Sequence, residues 1–327
     1  MNPTTHSAES RIYLTAYGDA SVLQLQSFEL PPPAAGEVRV RHTAIGVNYV
    51  DIYHRSGLYP LPGLPATPGV EAAGVIEAIG AGVSGLAIGQ RVAYAGLPGS
   101  YASARNLPAQ RLIKLPDEVS DQSIAAALLR GVTAHMLFDH IRKVQPSDTV
   151  LIHAAAGGLG LLLVQWAKTL GARVIGTVST PAKAALAISH GLDHAILYRE
   201  QPFAAATLAL TDGHGVNYAV DGIGGQTLQD TLSVVSAGGV VASVGQVAGP
   251  NDAAQLAVPP AVTLCHPSVI QFMADATQYQ QGAAATLHQL THGLRATVAE
   301  VLPLDHAAQA HRLLESGQST GAILLQP

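Results

Sequence analysis

Residues 150–183 combine small residues, hydroxyls and a basic side chain in an order that suits a nucleotide. Ala155, Gly157 and Gly160 have the spacing G-x-G-x-x-G, with alanine at the first position. A short apolar run precedes this turn, and an apolar run at helical spacing follows it. A helix entered from a glycine turn presents backbone N–H groups and the positive end of its dipole to a pyrophosphate. The pattern predicts a dinucleotide-binding βαβ unit, with a purely structural turn as the alternative.

The end of the predicted second strand indicates which dinucleotide to expect. Residues 177–180 read Thr-Val-Ser-Thr and contain no carboxylate, whereas an NAD site usually places Asp or Glu there to hold the ribose 2′-hydroxyl. Ser179 supplies a hydroxyl at this tip, and Lys183 follows a helix-starting Pro181. Hydroxyls and an ammonium suit a 2′-phosphate, so we expect NADPH rather than NADH. The alternative is that Lys183 is a solvated helix residue.

Two kinds of fold are needed to position these residues. The first third is predicted to be an all-β, barrel-like domain, with strands separated by Gly and Pro turns at 38–47, 69–80 and 91–95. A long Ala/Leu-rich helix is predicted at 124–141. Strands and helices then alternate, which predicts a parallel, doubly wound sheet. Its strands are predicted at 150–153, 173–178, 195–198, 216–221 and 239–245. A helix at 283–291 and a last strand at 322–326 follow, and we expect that strand to pair back onto the first domain.

Length and composition narrow the class of protein. A chain of 327 residues fits two domains better than one core. Its net charge of −5, with scattered basic residues, predicts no nucleic-acid partner. No apolar run reaches the roughly 18 residues of a membrane span, and residues 1–10 are polar, without an apolar signal core. The single cysteine, Cys265, rules out an internal disulfide, so a cytoplasmic location is expected.

Several long ordered strings of residues carry a family resemblance. They lie at residues 46–60, 68–75, 153–158, 165–168 and 217–221. The chain resembles the zinc-independent quinone oxidoreductases, the zeta-crystallin-like branch of the medium-chain dehydrogenase/reductase superfamily. The resemblance implies an α/β protein with a GroES-like β-barrel catalytic domain (1–130 and 268–327) and a Rossmann NADPH-binding domain with a doubly wound parallel sheet (131–267). It also implies a homodimer.

Metal binding is not expected at the site that zinc-dependent relatives use. In those relatives a thiolate and an imidazole bind zinc at the positions that carry Asn48 and Val70 here. Neither side chain supplies the sulfur or imidazole donor that a catalytic zinc needs. One cysteine also excludes the four-cysteine structural lobe. His288 and His292 have a chelating i, i+4 spacing, but no third ligand is apparent, and a solvated helix face is the favoured interpretation.

Without a Lewis acid, the site is better suited to hydride delivery onto an electron-poor acceptor, where hydrogen-bond donors stabilise the developing charge. The resemblance places Asn48, Tyr53 and Tyr59 around the nicotinamide and the acceptor. Tyr53 stands where the zinc enzymes have a proton-relay histidine, so its hydroxyl is either a proton source or part of an aromatic wall. Asp51 and Glu71 are expected to have structural roles.

The resemblance also assigns cofactor contacts along the second domain. Thr133 is assigned to the nicotinamide side, and further residues to the pyrophosphate, the 2′-phosphate with adenosine, and the facing strand ends. These are Gly157, Gly158, Leu159 and Gly160, then Ser179, Lys183 and Tyr198, then Gly222, Val244, Gly245 and Gln246.

The expected activity is a zinc-free, NADPH-dependent reduction of a quinone. An NADPH-dependent enone or alkenal double-bond reductase uses the same hydride geometry and remains open, because both acceptors are flat and electron-poor. A non-catalytic NADPH-binding protein is the alternative from another class.

Overall fold

The computed structural model describes residues 8–249 and 256–327. It divides into two compact units, one formed by Met1–Leu129 with Met273–Pro327 and the other by Arg130–Phe272. Most of the polar segment 1–10 discussed above lies outside the described residues. Among those described, no helix is long and apolar enough to cross a bilayer.

The first unit is built on strands that pair mostly antiparallel and enclose an apolar core. Numbered in chain order, they are β1 (Glu9–Tyr13), β2 (Gln24–Phe28), β3 (Glu37–Val47), β4 (Glu71–Ile79), β5 (Arg91–Ala95), β6 (Ala104–Pro108) and β7 (Ile113–Lys114), with β14 (Val298–Pro303) and β15 (Ala322–Gln326) from the C-terminal segment. The main sheet has the order β14-β15-β3-β4-β5-β7, and β6 also pairs with β3.

The last strand pairs back onto the first part of the chain, as expected. Leu324 of β15 lies opposite Gly46 of β3 in an antiparallel ladder. Val38, Val40 and Ile45 of β3 are fully buried in the core of this unit. This arrangement agrees with the GroES-like fold that the family resemblance implied.

Helices also occur in the first unit, so the all-β expectation for the first third was incomplete. They are α1 (Tyr49–Ser56), α2 (Asp121–Ala125), α9 (Ala276–Thr291) and α10 (Ala307–Glu315). Helix α1 is short and follows β3 directly. It carries Asp51 in its first turn and ends at Gly57, whose φ of 83° suits glycine alone. The apolar/polar alternation up to residue 47 predicted a strand and gave no sign that a helix follows it.

The single helix predicted at 124–141 is divided into three pieces. Helix α2 ends at Ala125, α3 runs over Leu128–His135, and a π-helical segment follows at Met136–Ile141. Buried Ala and Leu residues continue through all three, so hydrophobic periodicity gave no sign of the breaks.

The second unit contains a six-stranded, wholly parallel sheet. Its strands are β8 (Thr149–Ile152), β9 (Arg173–Val178), β10 (His194–Leu197), β11 (Val216–Asp221), β12 (Val235–Ser243) and β13 (Thr263–Cys265). The order is β10-β9-β8-β11-β12-β13, which is the Rossmann order 3-2-1-4-5-6. The chain reverses direction across the sheet between β8 and β11, the point at which such sheets bind ligands.

Helices connect the parallel strands. They are α4 (Gly158–Thr169), α5 (Pro181–Ser189), α6 (Phe203–Leu210) and α7 (Gly225–Leu232), and α8 (Val269–Ala274) follows β13. Leu151, Ile175 and Val241 from the strands pack with Leu228 and Leu232 of α7. The continuous apolar strands and buried helix faces account for the high apolar content of the middle of the chain.

Candidate active site

The small-residue turn after β8 is tight because of Ala154 and Gly160. Ala154 has φ of 50°, so the left-handed residue is not Ala155, the first position of the motif. Ala155 is buried and its N–H donates to the carbonyl of Thr177 at 3.1 Å. A Cβ on Gly160 would lie 2.8 Å from backbone carbons of Ala155. Helix α4 therefore packs directly on the turn.

Gly157 has a different role from Gly160. It is the N-cap of α4 with φ of −78°, and a Cβ there would meet only the Ala154 carbonyl, at 3.2 Å. The φ angle is compatible with a side chain, and this one contact is less severe than those that a Cβ would make at Gly160. Gly157 leaves open the space in front of the helix N-terminus, which fits a closely approaching pyrophosphate.

The ends of β9 and β10 bring Ser179, Lys183, Tyr198 and Arg199 to one edge of the sheet. The Thr180 hydroxyl accepts the Lys183 N–H at 3.3 Å and caps α5, which begins at Pro181. Tyr198 is exposed, and its N–H donates to Val178, which holds the two strand ends together. Burial, and then the charge of Arg199, lower the pKa of Lys183.

Arg199 was not identified as a site residue from the sequence. It directly follows Tyr198, so a basic residue at the end of the third parallel strand was the available signal. Two cations beside hydroxyls, at a strand tip without a carboxylate, fit a doubly charged 2′-phosphate.

Gly222, Val244, Gly245 and Gln246 follow β11 and β12 at the same carboxyl edge. The Val244 N–H donates to the Asp221 carbonyl at 2.7 Å, which holds the two strand ends in register. A Cβ on Gly245 would lie 2.6 Å from the Gly222 carbonyl oxygen. The two backbones therefore approach closely where a cofactor would cross the sheet.

A buried polar network joins the strand ends that precede these turns. The sequence gave no indication of this network. The His153 ring nitrogens contact the Thr177 hydroxyl at 3.0 Å and the Thr231 hydroxyl at 2.8 Å. Thr231 donates to Asp221, whose other oxygen accepts the N–H groups of Ile223 and Gly224. Burial lowers the pKa of His153. A neutral ring thus links three strand ends and α7.

Thr133 lies buried on α3 in the second unit. Two residues further along the chain, the Nδ1 atom of His135 lies 3.0 Å from an Asp139 carboxylate oxygen, and burial lowers the pKa of His135. Thr133 is thus held on a packed helix followed by the π-helical segment.

In the first unit, Asn48 is held by a carboxylate. The register of β3 and β4 places Gly46 opposite Glu71, so Asn48 lies beside Glu71 just past the strand end. The Asn48 amide donates to Glu71 Oε1 at 2.7 Å, and Glu71 Oε2 accepts the Leu129 N–H at 2.8 Å. Both carboxylate oxygens of Glu71 are thereby engaged, and the Asn48 carboxamide is fixed.

Tyr53 and Tyr59 lie together. Their ring centroids are 5.0 Å apart in an edge-on arrangement, and the Tyr59 N–H donates to the Tyr53 carbonyl. Tyr53 is 7% exposed and Tyr59 is 40% exposed. The ring centroids of Tyr49 and Tyr53 are 5.6 Å apart. The three rings form an aromatic cluster on and just after α1, beside Asn48 at the helix start.

The donor set does not fit a catalytic zinc. Asn48 donates N–H to Glu71, and Val70 is a buried aliphatic residue. A zinc site requires thiolate, imidazole or free carboxylate donors. Across residues 8–249 and 256–327, no group of three or more His, Cys, Asp or Glu side chains could hold a metal ion.

The remaining candidate ligands are engaged in local structure. The rings of His288 and His292 stack 4.0 Å apart at the end of α9, and His292 contacts the His288 carbonyl. Cys265 is partly buried on β13 and contacts the Val241 carbonyl. Burial raises the pKa of its thiol, which disfavours a reactive thiolate.

Two family profiles match the chain and agree with the two folds. Residues 34–117 match the alcohol dehydrogenase GroES-like domain, and residues 158–290 match the zinc-binding dehydrogenase family. The chain is therefore a dehydrogenase or reductase of the class that combines these domains.

Individual relatives define the family within that class. A quinone oxidoreductase of Pseudomonas aeruginosa is 38% identical over 97% of this chain and 99% of its own length. A 2-haloacrylate reductase of a Burkholderia species is 39% identical over 90% of this chain and 92% of its own. The solved structure of Escherichia coli quinone oxidoreductase complexed with NADPH has a TM-score of 0.92 and 34% identity, covering 97% of this chain and 100% of that one. The chain belongs to the quinone oxidoreductase family of the medium-chain dehydrogenase/reductases.

Proposed function

We propose that this protein is an NADPH-dependent quinone reductase that works without a metal. The observation that carries the proposal is the pair of cations, Lys183 and Arg199, at a strand tip that lacks the carboxylate of an NAD site. Support comes from the similarity to quinone oxidoreductases, one of which was solved with NADPH.

The second unit supplies the binding site for the cofactor. The N–H groups at the start of α4 and the positive end of its dipole suit the pyrophosphate. Lys183 and Arg199, with the Ser179 hydroxyl, suit the 2′-phosphate. Thr133 and the turns at Gly222 and 244–246 are proposed to border the nicotinamide side. When bound, NADPH supplies the hydride.

The first unit is proposed to supply the groups that receive the acceptor. Reduction of a quinone to a hydroquinone consumes one hydride and one proton, and negative charge develops on the acceptor oxygen. The fixed Asn48 carboxamide and the Tyr53 hydroxyl are candidate donors to that oxygen. Tyr59 and the aromatic cluster suit the face of a flat acceptor. The domain limits proposed for these roles are 1–130 with 268–327 and 131–267.

A second candidate is an NADPH-dependent reductase of conjugated double bonds. The similarity to a 2-haloacrylate reductase supports it, and the same donors would stabilise an enolate oxygen. We also propose that the protein is a cytoplasmic homodimer without nucleic-acid partners. Sedimentation of the purified protein tests whether it is a dimer.

Consumption of NADPH tests the main proposal. The purified protein is assayed with 1,4-benzoquinone and with an α,β-unsaturated ketone, each with NADPH and with NADH. Rapid turnover of quinone with NADPH supports quinone reduction, whereas turnover confined to the enone favours the second candidate. Tight NADPH binding with no turnover of either acceptor would leave a non-catalytic binding protein.

A further inference from the structure

A chain of buried polar side chains runs through the first unit behind α1. Tyr101 donates its hydroxyl proton to Asp51 Oδ2 at 3.1 Å, and the same hydroxyl lies 3.0 Å from His311 Nε2. The other ring nitrogen of His311 lies 3.3 Å from Arg55 Nη1. Asp51, Tyr101 and His311 are fully buried. Residues from three distant parts of the sequence are thus linked by direct contacts.

The direction of every hydrogen bond in this chain is determined by Arg55. A guanidinium only donates, so His311 Nδ1 must accept, and the ring proton must therefore lie on Nε2. Nε2–H then donates to the Tyr101 oxygen, which leaves the Tyr101 proton for Asp51. Burial, and then Arg55, lower the pKa of His311 to about 3, which agrees with a neutral ring.

The chain ends in an ion pair that fixes it in place. Arg55 makes a two-point contact with the Glu315 carboxylate, at 2.5 and 3.1 Å. The guanidinium remains protonated in proteins, so it cannot pass a proton to His311. These hydrogen bonds therefore hold one arrangement of atoms and do not conduct protons from the surface.

The other end of the chain fixes the start of α1. Asp51 Oδ2, which accepts from Tyr101, also accepts the Asn48 N–H at 2.8 Å. The Asp51 N–H in turn donates to the Asn48 carbonyl at 3.0 Å. Asp51 therefore holds the backbone of Asn48, and Glu71 holds its side chain.

We propose that Tyr101 and His311 are positioning residues, which hold Asn48 and the start of α1 in the arrangement the reaction requires by orienting Asp51. The inference rests on the proposed role of Asn48 in NADPH-dependent reduction. No function was assigned to Tyr101 or His311 from the sequence, because they lie 210 residues apart.

Tyr101→Phe is the direct test, and Tyr94→Phe is its matched control. Tyr94 is also fully buried in the first unit and also pairs with a histidine, its hydroxyl lying 2.9 Å from His42 Nε2. Both variants lose one buried tyrosine–histidine contact. We expect Tyr101→Phe to lower kcat about tenfold, with KM for NADPH unchanged and with a fall in melting temperature similar to that of Tyr94→Phe. Equal kcat for the two variants would overturn the proposal.

Hydrogen exchange separates this inference from the proposed function, because it needs no turnover. In Tyr101→Phe, peptides that cover residues 48–53 should exchange about tenfold faster than in the wild-type protein, while Tyr94→Phe leaves them unchanged. If the wild-type protein reduces no acceptor, faster exchange at 48–53 still supports positioning, and unchanged exchange overturns it.

A second pair of variants keeps the test decisive if Tyr101→Phe does not fold. His311→Gln retains one acceptor and one donor, whereas His311→Leu has neither. We expect kcat and the protection of residues 48–53 to be closer to wild type in His311→Gln than in His311→Leu. Equal losses in the two variants would show that His311 only fills space.

Discussion

Lys183 and Arg199 are two like charges at one edge of the parallel sheet, and they repel each other. The repulsion contributes to the lowered pKa of Lys183. A bound phosphate would relieve it, which is the reason that the pair indicates a phosphorylated ribose. A single lysine on an exposed helix face would be much weaker evidence for a 2′-phosphate site.

At this residue scale, Lys183→Ala should weaken NADPH binding about 10- to 100-fold, because a hydrogen bond to a charged group contributes roughly 1.5–3 kcal/mol. Affinity for NADH should change little, since NADH lacks the 2′-phosphate. Calorimetric titration with each coenzyme measures both. Lys168→Ala is the control, because Lys168 is another lysine of the same unit, lies in the last turn of α4 and pairs with Asp193. Equal weakening for NADPH and NADH would refute the selectivity argument.

Tyr53 has two proposed roles, either as a proton source or orienting group or as part of an aromatic wall, and the two predict different kinetics. If its hydroxyl supplies a proton or orients the acceptor, Tyr53→Phe should lower kcat at least tenfold while retaining the ring contacts. We expect that loss, and we expect Tyr59→Phe to have a smaller effect, because Tyr59 is the more exposed of the two rings. Steady-state kinetics with a quinone measures it. Unchanged turnover in Tyr53→Phe would show that the ring is only an aromatic wall.

At the scale of elements, the turn between β8 and α4 separates packing from binding. Gly160 lets the helix approach Ala155, whereas Gly157 leaves open space in front of the helix. The packing requires glycine at 160, and we propose that the ligand requires it at 157, although both positions belong to the same motif.

Gly157→Ala and Gly160→Ala should therefore have different effects. Gly157→Ala should reduce NADPH affinity at least tenfold with less than about 1 kcal/mol change in stability, because its φ is compatible with alanine. Gly160→Ala should cost both affinity and about 1–3 kcal/mol of stability, since the methyl group overpacks the turn. Urea unfolding and coenzyme titration measure the two quantities. A Gly157→Ala protein with wild-type NADPH affinity would contradict the proposed pyrophosphate site.

At the scale of the whole molecule, buried neutral histidines make stability depend on pH. Burial lowers the pKa of His42 to about 4 and that of His311 to about 3 from 6.5. The unfolded chain binds these protons below pH 6.5, and the folded protein does not. Their contribution to stability is therefore complete above pH 6.5 and falls as the pH drops from 6.5 towards 4.

We expect the free energy of unfolding at pH 5 to be lower than at pH 7.5, by about 2 kcal/mol for each of these two histidines. Glu9, Asp148 and Asp193, whose pKa values are lowered, contribute their losses at more acidic pH. Urea unfolding at the two pH values measures the difference. His42→Gln should reduce this difference by about 2 kcal/mol, which is the contribution expected from that ring. Equal urea midpoints at pH 5 and 7.5 would show that these rings are protonated in the folded protein.

The sequence by itself determined the elements that rest on local patterns. Strands β5, β9, β11 and β15 have the predicted limits, because alternation or short apolar runs end there at turns. The βαβ order, the small-residue turn and the strand tip without a carboxylate were likewise local, so the cofactor class followed from them. The break of the helix at 124–141 did not, since buried Ala and Leu residues are equally compatible with one helix or several.

Only the tertiary structure decided how these residues are held. The left-handed conformation of Ala154 and the contact of Asn48 with Glu71 depend on packing across the fold. So does the series of hydrogen bonds from Glu315 through Arg55 and His311 to Asp51. A polar side chain shows its chemical type in the sequence, but its partner is set by which strands and helices are neighbours. Contacts between residues more than 200 positions apart depend on the whole chain and leave no local pattern to detect.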